Sequence, residues 1–262
     1  MNNLITILLQ VSISTGALFL IYYTFLRKDT FFKTNRFYLV LSIVASLLIP
    51  FIDFSFLFNG GQQVFMVLLD PVIITPDGIQ ESINNNNNVY QIITAMYLTG
   101  VFIFSIRFIF QLLQLTRLIN RFWITKQEGM RLVFTSQEYS PFSFFNLIFI
   151  NHHNIDSPEV RKILQHESVH IRQWHSLDLI LIELVTIVLW FNPFVWFYRH
   201  AIKSLHEYLA DEGVLHSGVD VNVYSTLLFE QGTGIQINDL TNNFSKSLIK
   251  KRIIMMTKKK TA

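Results

Sequence analysis

The chain contains no cysteine. Disulfide staples, thiolate metal sites and cysteine nucleophiles are therefore excluded, and any metal must be held by His, Asp or Glu. Charge is scarce too: 15% of the 262 residues are Asp, Glu, Lys or Arg, where a soluble domain averages about 25%. The start of the chain lacks a basic n-region and an A-x-A-like site, so its apolar stretch is not a cleavable signal peptide. What replaces charge is apolar bulk, 51% of the residues, with 25 Phe. That composition rules out a disordered tail and an ordinary soluble enzyme.

A bilayer core about 30 Å thick needs about 20 mostly apolar residues in a helix. Three stretches meet this. Leu4 to Leu26 carries no charged residue, Phe37 to Phe58 carries only Asp53, and Val89 to Leu113 carries only Arg107. Lys and Arg in the short loops set the orientation. Arg27, Lys28, Lys33 and Arg36 fill the first loop, while residues 59–88 hold no cation and carry Asp70, Asp77 and Glu81. Arg117, Arg121, Lys126 and Arg131 follow the third span. The expectation is an N-terminus outside, a second loop outside, and everything after Leu113 inside. The Asn84–Asn88 run is read as a spacer without chemistry.

The third helix is expected to run past the bilayer, since Arg107, Gln111, Gln114, Arg117 and Arg121 form a polar stripe at helical spacing. Gly129 then breaks it. Arg131 to Thr135 and Ser143 to Ile150 are expected as short strands, separated by the turn signal Ser140-Pro141.

Asp156-Ser157-Pro158-Glu159 is a helix start, with Asp or Ser as cap, Pro in the first turn and Glu159 closing a capping box with Asp156. That helix carries His166-Glu167-Ser168-Val169-His170, an H-E-x-x-H motif. Positions i and i+4 share a helix face, so both imidazoles reach one Zn²⁺, and Glu167 flanks them as a general base. The composition gives this pattern by chance in roughly 0.8% of such chains. A metzincin requires Gly and His seven and ten residues after the first motif His. Gln173 and Ser176 stand there, which excludes that class. His175, taken on the same helix, points about 140° away from His170 and is read as a polar interface residue rather than a ligand.

Glu207 is the better third ligand. Glu207 and Asp211 are i and i+4, so Glu207 is placed to bind zinc while Asp211 holds a ligand histidine through its second nitrogen. Leu177 to Tyr198 is apolar except for Asp178, Glu183 and Asn192. A full crossing there would carry Glu207 to the far side of the membrane. Asn192-Pro193 ends one helix and starts another. The arms, Ser176–Phe191 and Pro193–Glu207, are about 24 and 22 Å long at 1.5 Å per residue. An equal-armed hairpin, 176–207, dipping into the bilayer or packing on the spanning helices, returns Glu207 to the histidines.

The stretch from His166 to Leu215 resembles the membrane metallopeptidases of the BlaR/MecR antibiotic-sensor type, whose pattern is H-E-x-x-H, then W-F-N-P, then E-x-x-x-D. Trp190-Phe191-Asn192-Pro193 matches the middle element. YTFLRKDTFFKTNRFYLVLSIVASLLIP and SPFSFFNLIFI are also similar to that family, so the likeness runs over nearly the whole chain. The resemblance implies a gluzincin site, with His166, His170 and Glu207 as zinc ligands, Glu167 as general base and Asp211 behind a ligand. It also implies a bacterial inner-membrane protease with a cytosolic active site, cutting a transcriptional repressor or itself on an outside signal. No direct contact with nucleic acid is expected, and a homo-oligomer is compatible with the chain. Penicillin-sensing members carry a further spanning helix and an extracellular sensor domain. Here Lys246 to Ala262 hold seven cations and no acid. That segment is either a cytosolic flank of a membrane helix beyond these residues or a basic tail on anionic lipid.

The expected architecture is mainly α and integral to the membrane: a membrane domain over 1–113, a zinc metallopeptidase domain with a small β element over 114–216, and a helical, basic segment over 217–262. Two other functions compete, a non-catalytic transducer in which zinc only ties helices together and a quality-control or prenyl-protein protease. An intact Glu167 argues against the first, the W-F-N-P hairpin against the second. Tyr208, Arg172 and His206 are the candidates for stabilising an oxyanion.

Overall fold

The structure, a computed structural model, describes residues 2–52, 80–122, 124–127, 129–135, 140–151, 157–233 and 239–259. Asp53, Asp70, Asp77 and Asp156 lie outside them. Helix α1 (Asn2–Ile21) ends in one π-helical turn, Tyr22–Leu26. Helix α2 (Phe32–Leu48) ends in a 3₁₀ turn, Ile49–Phe51, where Pro50 removes a backbone donor. The two pack side by side. Asn35 Nδ2 donates to the carbonyl of Leu26 at 2.9 Å, which pins the short loop between them.

Helix α3 (Gln80–Arg121) has 42 residues, about 63 Å at the α-helical rise, twice the thickness of a bilayer core. It therefore extends beyond the expected 89–113 span at both ends, and the Asn84–Asn88 run lies inside it. Asn is a weak helix former, but adding residues to an existing helix gains a hydrogen bond for each one fixed. Among the described residues, the helices long and apolar enough to cross a membrane are Leu4–Leu26, Phe32–Phe51 and Asn88–Arg121. The second begins five residues before the expected Phe37, on the far side of Lys33 and Arg36.

Four short strands follow: β1 (Ile124–Gln127), β2 (Met130–Phe134), β3 (Phe142–Phe144) and β4 (Leu147–Ile150), in the order β1-β2-β4-β3. Gly129, at φ +78°, turns β1 into its antiparallel partner β2. β2 and β4 are parallel. The expected single strand over 143–150 is two strands, because Phe145, at φ +50°, and Asn146 fold β3 back on β4. Ser176 Oγ accepts from the Phe145 N–H at 2.9 Å and holds that turn. One face of the sheet packs Leu132, Ile148 and Ile150 against Val160 and Leu164. The other packs Val133, Leu147 and Phe149 against Leu115, Leu118 and Ile119 at the end of α3.

Helix α4 (Pro158–Arg172) carries the H-E-x-x-H motif. Ser157 is its cap and accepts from the Val160 N–H at 3.2 Å. Helix α5 (His175–Val188) and helix α6 (Pro193–Leu215) form a hairpin. Asn192 Oδ1 caps α6 by accepting from the Phe194 N–H at 2.9 Å, and Pro193 takes the first helical position. The largest core joins this hairpin to α1 and α2 through Phe19, Leu39, Ile43, Ile182, Leu189, Tyr198 and Ile202. Its polar groups are paired internally: Ser42 Oγ with Tyr198 Oη at 2.9 Å and Thr15 Oγ1 to Ser46 Oγ at 3.0 Å. The hairpin tip also meets α3, where Trp190 lies so close to Gly100 that a Cβ there would fall 2.1 Å from the indole.

Helices α7 (Val221–Thr233) and α8 (Asp239–Thr257) close the chain. Tyr224, Leu227 and Leu228 of α7 pack on Ile163 and Val214, beneath the motif. The chain's one Ser-x-x-Lys spacing, Ser247-Leu248-Ile249-Lys250, lies inside α8, a 19-residue helix.

Candidate metal centre

α4 presents His166 and His170 on one face, as the i, i+4 spacing requires. The α5–α6 hairpin brings Glu207 against them. His166 Nε2 lies 3.2 Å from His170 Nε2 and 3.5 Å from Glu207 Oε2, and His170 Nε2 lies 3.8 Å from Glu207 Oε1. Ligands at about 2.0–2.1 Å around a tetrahedral ion are separated by about 3.3 Å. Among the described residues, these three form the group able to hold an ion, with ligand atoms all within 4.8 Å of one another.

The second nitrogens are held as well. Tyr224 Oη accepts from His166 Nδ1 at 2.9 Å and donates to Asp211 Oδ1 at 2.9 Å. Asp211, fully buried, lies 3.4 Å from His166 Nδ1, so Tyr224 mediates most of the contact expected of it. His170 Nδ1 lies 2.7 Å from His175 Nδ1. His175 Nε2 donates to Gln173 Oε1 at 3.2 Å, so its Nδ1 accepts from His170. Both ring pairs leave Nε2 of His166 and His170 toward Glu207, the arrangement that fixes a ligating tautomer.

His175 departs from expectation. α4 ends at Arg172, Trp174 takes a left-handed conformation at φ +56°, and α5 starts anew at His175. The two histidines are not on one helix, and the break folds His175 back onto His170.

Arg252 of α8 completes the cluster. Its Nε and Nη2 donate to Asp211 Oδ2 at 2.8 Å and Oδ1 at 2.5 Å, and its Nη1 lies 2.9 Å from Glu207 Oε2. Nothing near it in sequence marks it: it stands 41 residues beyond Asp211 in a run of cations. Tyr224 has no motif either. Glu167 is buried beside the ligands, and Ser143 of β3 is near enough to act on its titration. Of the oxyanion candidates, Tyr208 packs its ring on Phe32 at 5.3 Å, Arg172 is exposed and donates to Ser168, and His206 bonds Asp178.

Burial opposes a charge on His166, but its hydrogen bonds to Asp211 and Glu207 outweigh this and raise its pKa from 6.5 to about 9. His170 is pushed down to about 3, by burial first and then by the His166 charge. Burial would raise Glu207, yet the bond to His166 and the Arg252 charge hold it far below the usual carboxylate range. Glu167 is pushed above 4.5 by burial, offset only in part by His166 and Ser143. A divalent ion entering here would displace the His166 proton, since a ligating imidazole is neutral.

No curated protein matches the chain. The family model described as BlaR1 peptidase M56 matches residues 4–256, through all three spanning helices, the H-E-x-x-H helix, the hairpin and α8. A metallopeptidase family thus meets a His–His–Glu cluster suited to a metal, in a chain with three membrane-spanning helices. The chain belongs to the BlaR1 peptidase M56 family.

Proposed function

We propose that this protein is a signal-transducing zinc endopeptidase, with an active site on the cytosolic side of the membrane and a repressor, or the chain itself, as substrate. The convergence of His166 Nε2, His170 Nε2 and Glu207 carries the reading. Two imidazoles and a carboxylate, with no thiolate, are the donor set of a catalytic zinc, and both second nitrogens already have partners that leave Nε2 to the ion. Zinc, when bound, supplies Lewis acidity toward a water and a peptide carbonyl. Glu167 then acts as general base and passes the proton to the leaving amine. Its raised pKa suits a residue that alternates between accepting and donating. β3 is an edge strand that packs on α4, the helix of Glu167. An extended peptide adding to that edge would run past the base.

The test pairs metal content with peptide cleavage. His170→Ala and Glu207→Ala should each lose zinc. Glu167→Gln should keep zinc and fold, because the amide fills the same space but accepts no proton, and its activity should fall to at most about one percent. Retention of zinc by Glu207→Ala, with loss in His175→Ala, would overturn the ligand set. A Glu167→Gln protein that still cleaves would remove Glu167 as the base, whereas a zinc-loaded wild type that cleaves no peptide would favour the transducer whose zinc is only structural.

A further inference from the structure

Arg36 is one of the four cations between the first two apolar runs. In the structure it lies one turn into α2, a membrane-spanning helix, and faces the hairpin. Its Nε donates to Asp178 Oδ2 at 2.6 Å, and its Nη2 donates to the backbone carbonyl of Gln173 at 2.7 Å. Gln173 belongs to the turn that reverses the chain behind His170, and Asp178 to the first turn of α5. Asp178 Oδ2 also accepts from His206 Nε2 at 2.8 Å. The His206 ring lies flat on the His175 ring, with centroids 4.0 Å apart and planes within 5°. His175 Nδ1 accepts from His170 Nδ1.

We infer that Arg36 is a positioning residue for the metal centre: through Asp178, the stacked His206–His175 pair and the Gln173 turn, spanning helix α2 sets the ring orientation of His170. The inference rests on His170 being a zinc ligand, as proposed above.

Each link is directional. A guanidinium fork binds a carboxylate and a carbonyl together, which an ammonium does not reproduce. The Asp178 carboxylate fixes the proton of His206 on Nε2 and holds that ring in plane. His175 is clamped on one face by His206 and at its edge by Gln173 Oε1, so its lone pair points at His170. The non-glycine residue Trp174 holds a left-handed conformation at φ +56°, which an isolated chain disfavours, and the Arg36 bond to Gln173 secures the neighbouring peptide. These side chains are buried or nearly so: Arg36 and Asp178 retain 13% and 11% of their side-chain exposure. A packing role alone would make Arg36 important for stability and indifferent to metal. A positioning role makes it act on metal affinity, and only by way of His175.

The experiment uses the full chain in lipid nanodiscs, titrated with zinc against a competing chelator. Arg36→Gln and His175→Ala should each weaken zinc binding by roughly 10- to 100-fold, the range for residues that orient a ligand. The double variant should bind no more weakly than His175→Ala alone, and Arg36→Lys should recover part of the loss. Wild-type affinity in folded Arg36→Gln, or losses that multiply in the double variant, would overturn the inference. If Arg36→Gln does not fold, Asp178→Asn takes its place under the same criteria. The underlying reading fails separately: zinc retained by His170→Ala removes the proposed ligand set and this inference with it. Zinc lost in His170→Ala but kept in Arg36→Gln removes this inference alone.

Discussion

Asp211 has no solvent exposure, and its carboxylate is matched by a single guanidinium, Arg252. Burial alone would raise its pKa, but the Arg252 hydrogen bonds, followed by His166, hold it below its ordinary 3.8. A carboxyl depressed in the folded state contributes stability above its unfolded pKa and loses it as pH falls through the folded one. Removing Arg252 leaves His166 alone to oppose burial, so the pKa of Asp211 rises. Arg252→Gln should therefore destabilise the chelated protein by about 3–5 kcal/mol at neutral pH, the cost of a buried charge without its partner. The gap to wild type should narrow as pH falls through the variant's raised Asp211 pKa toward the wild-type one below 3.8. Melting temperatures across that range check this, and a constant gap would show that Asp211 is not the group Arg252 compensates. This is also where the sequence stopped being legible. His166, His170, Glu207 and Asp211 announce themselves because a helix converts a spacing of four into a shared face. Arg252 and Tyr224 meet those residues only through tertiary packing, and no local spacing encodes that.

At the scale of helices, the centre depends on how closely α6 crosses α4, since the ligands are divided between them. Gly213 permits the approach: a Cβ there would lie 2.5 Å from Val169 Cγ2. Alanine is better than glycine inside a helix by about 1 kcal/mol, so Gly213→Ala should help if nothing faced it. Overpacking costs about 1–3 kcal/mol, and the same shift separates Glu207 from the histidines. The variant should lower both melting temperature and zinc affinity. Val169→Ala removes the offending Cγ2 methyl and leaves its own Cβ at 3.6 Å, an ordinary contact. The double variant should regain zinc affinity, and its failure to do so would mean the crossing distance does not set the site. Element boundaries were readable where the chain carries punctuation. Asn192-Pro193 and Ser157-Pro158 stand where the structure has its caps. The break at Trp174 was missed because Arg172-Gln173-Trp174-His175 holds no glycine, proline or asparagine. Arg36, from another helix, secures that turn.

At the scale of the molecule, the metal centre is tied to the first loop. Arg36 holds the turn behind His170, and Lys258, beyond the end of α8, donates to the carbonyl of Lys28. Whichever side of the membrane carries residues 27–36 therefore carries the site. The alternation of cations between loops predicts the side: four in residues 27–36, none in residues 59–88, and four more from Arg117 to Arg131. Cationic loops stay in the cytosol, so residues 59–88 should face out, with His166, Glu207 and Lys250 inside. Three apolar runs made the spanning helices legible, because length and hydropathy are local properties. The tie between loop and site is not local, and only the fold supplies it. The absence of native cysteine makes the prediction direct to check. A membrane-impermeant thiol reagent on intact cells should label Asn86→Cys and spare Lys250→Cys, while permeabilised cells should show both. The reverse labelling would put the site outside and end the case for a cytosolic substrate, whatever the metal chemistry proves to be.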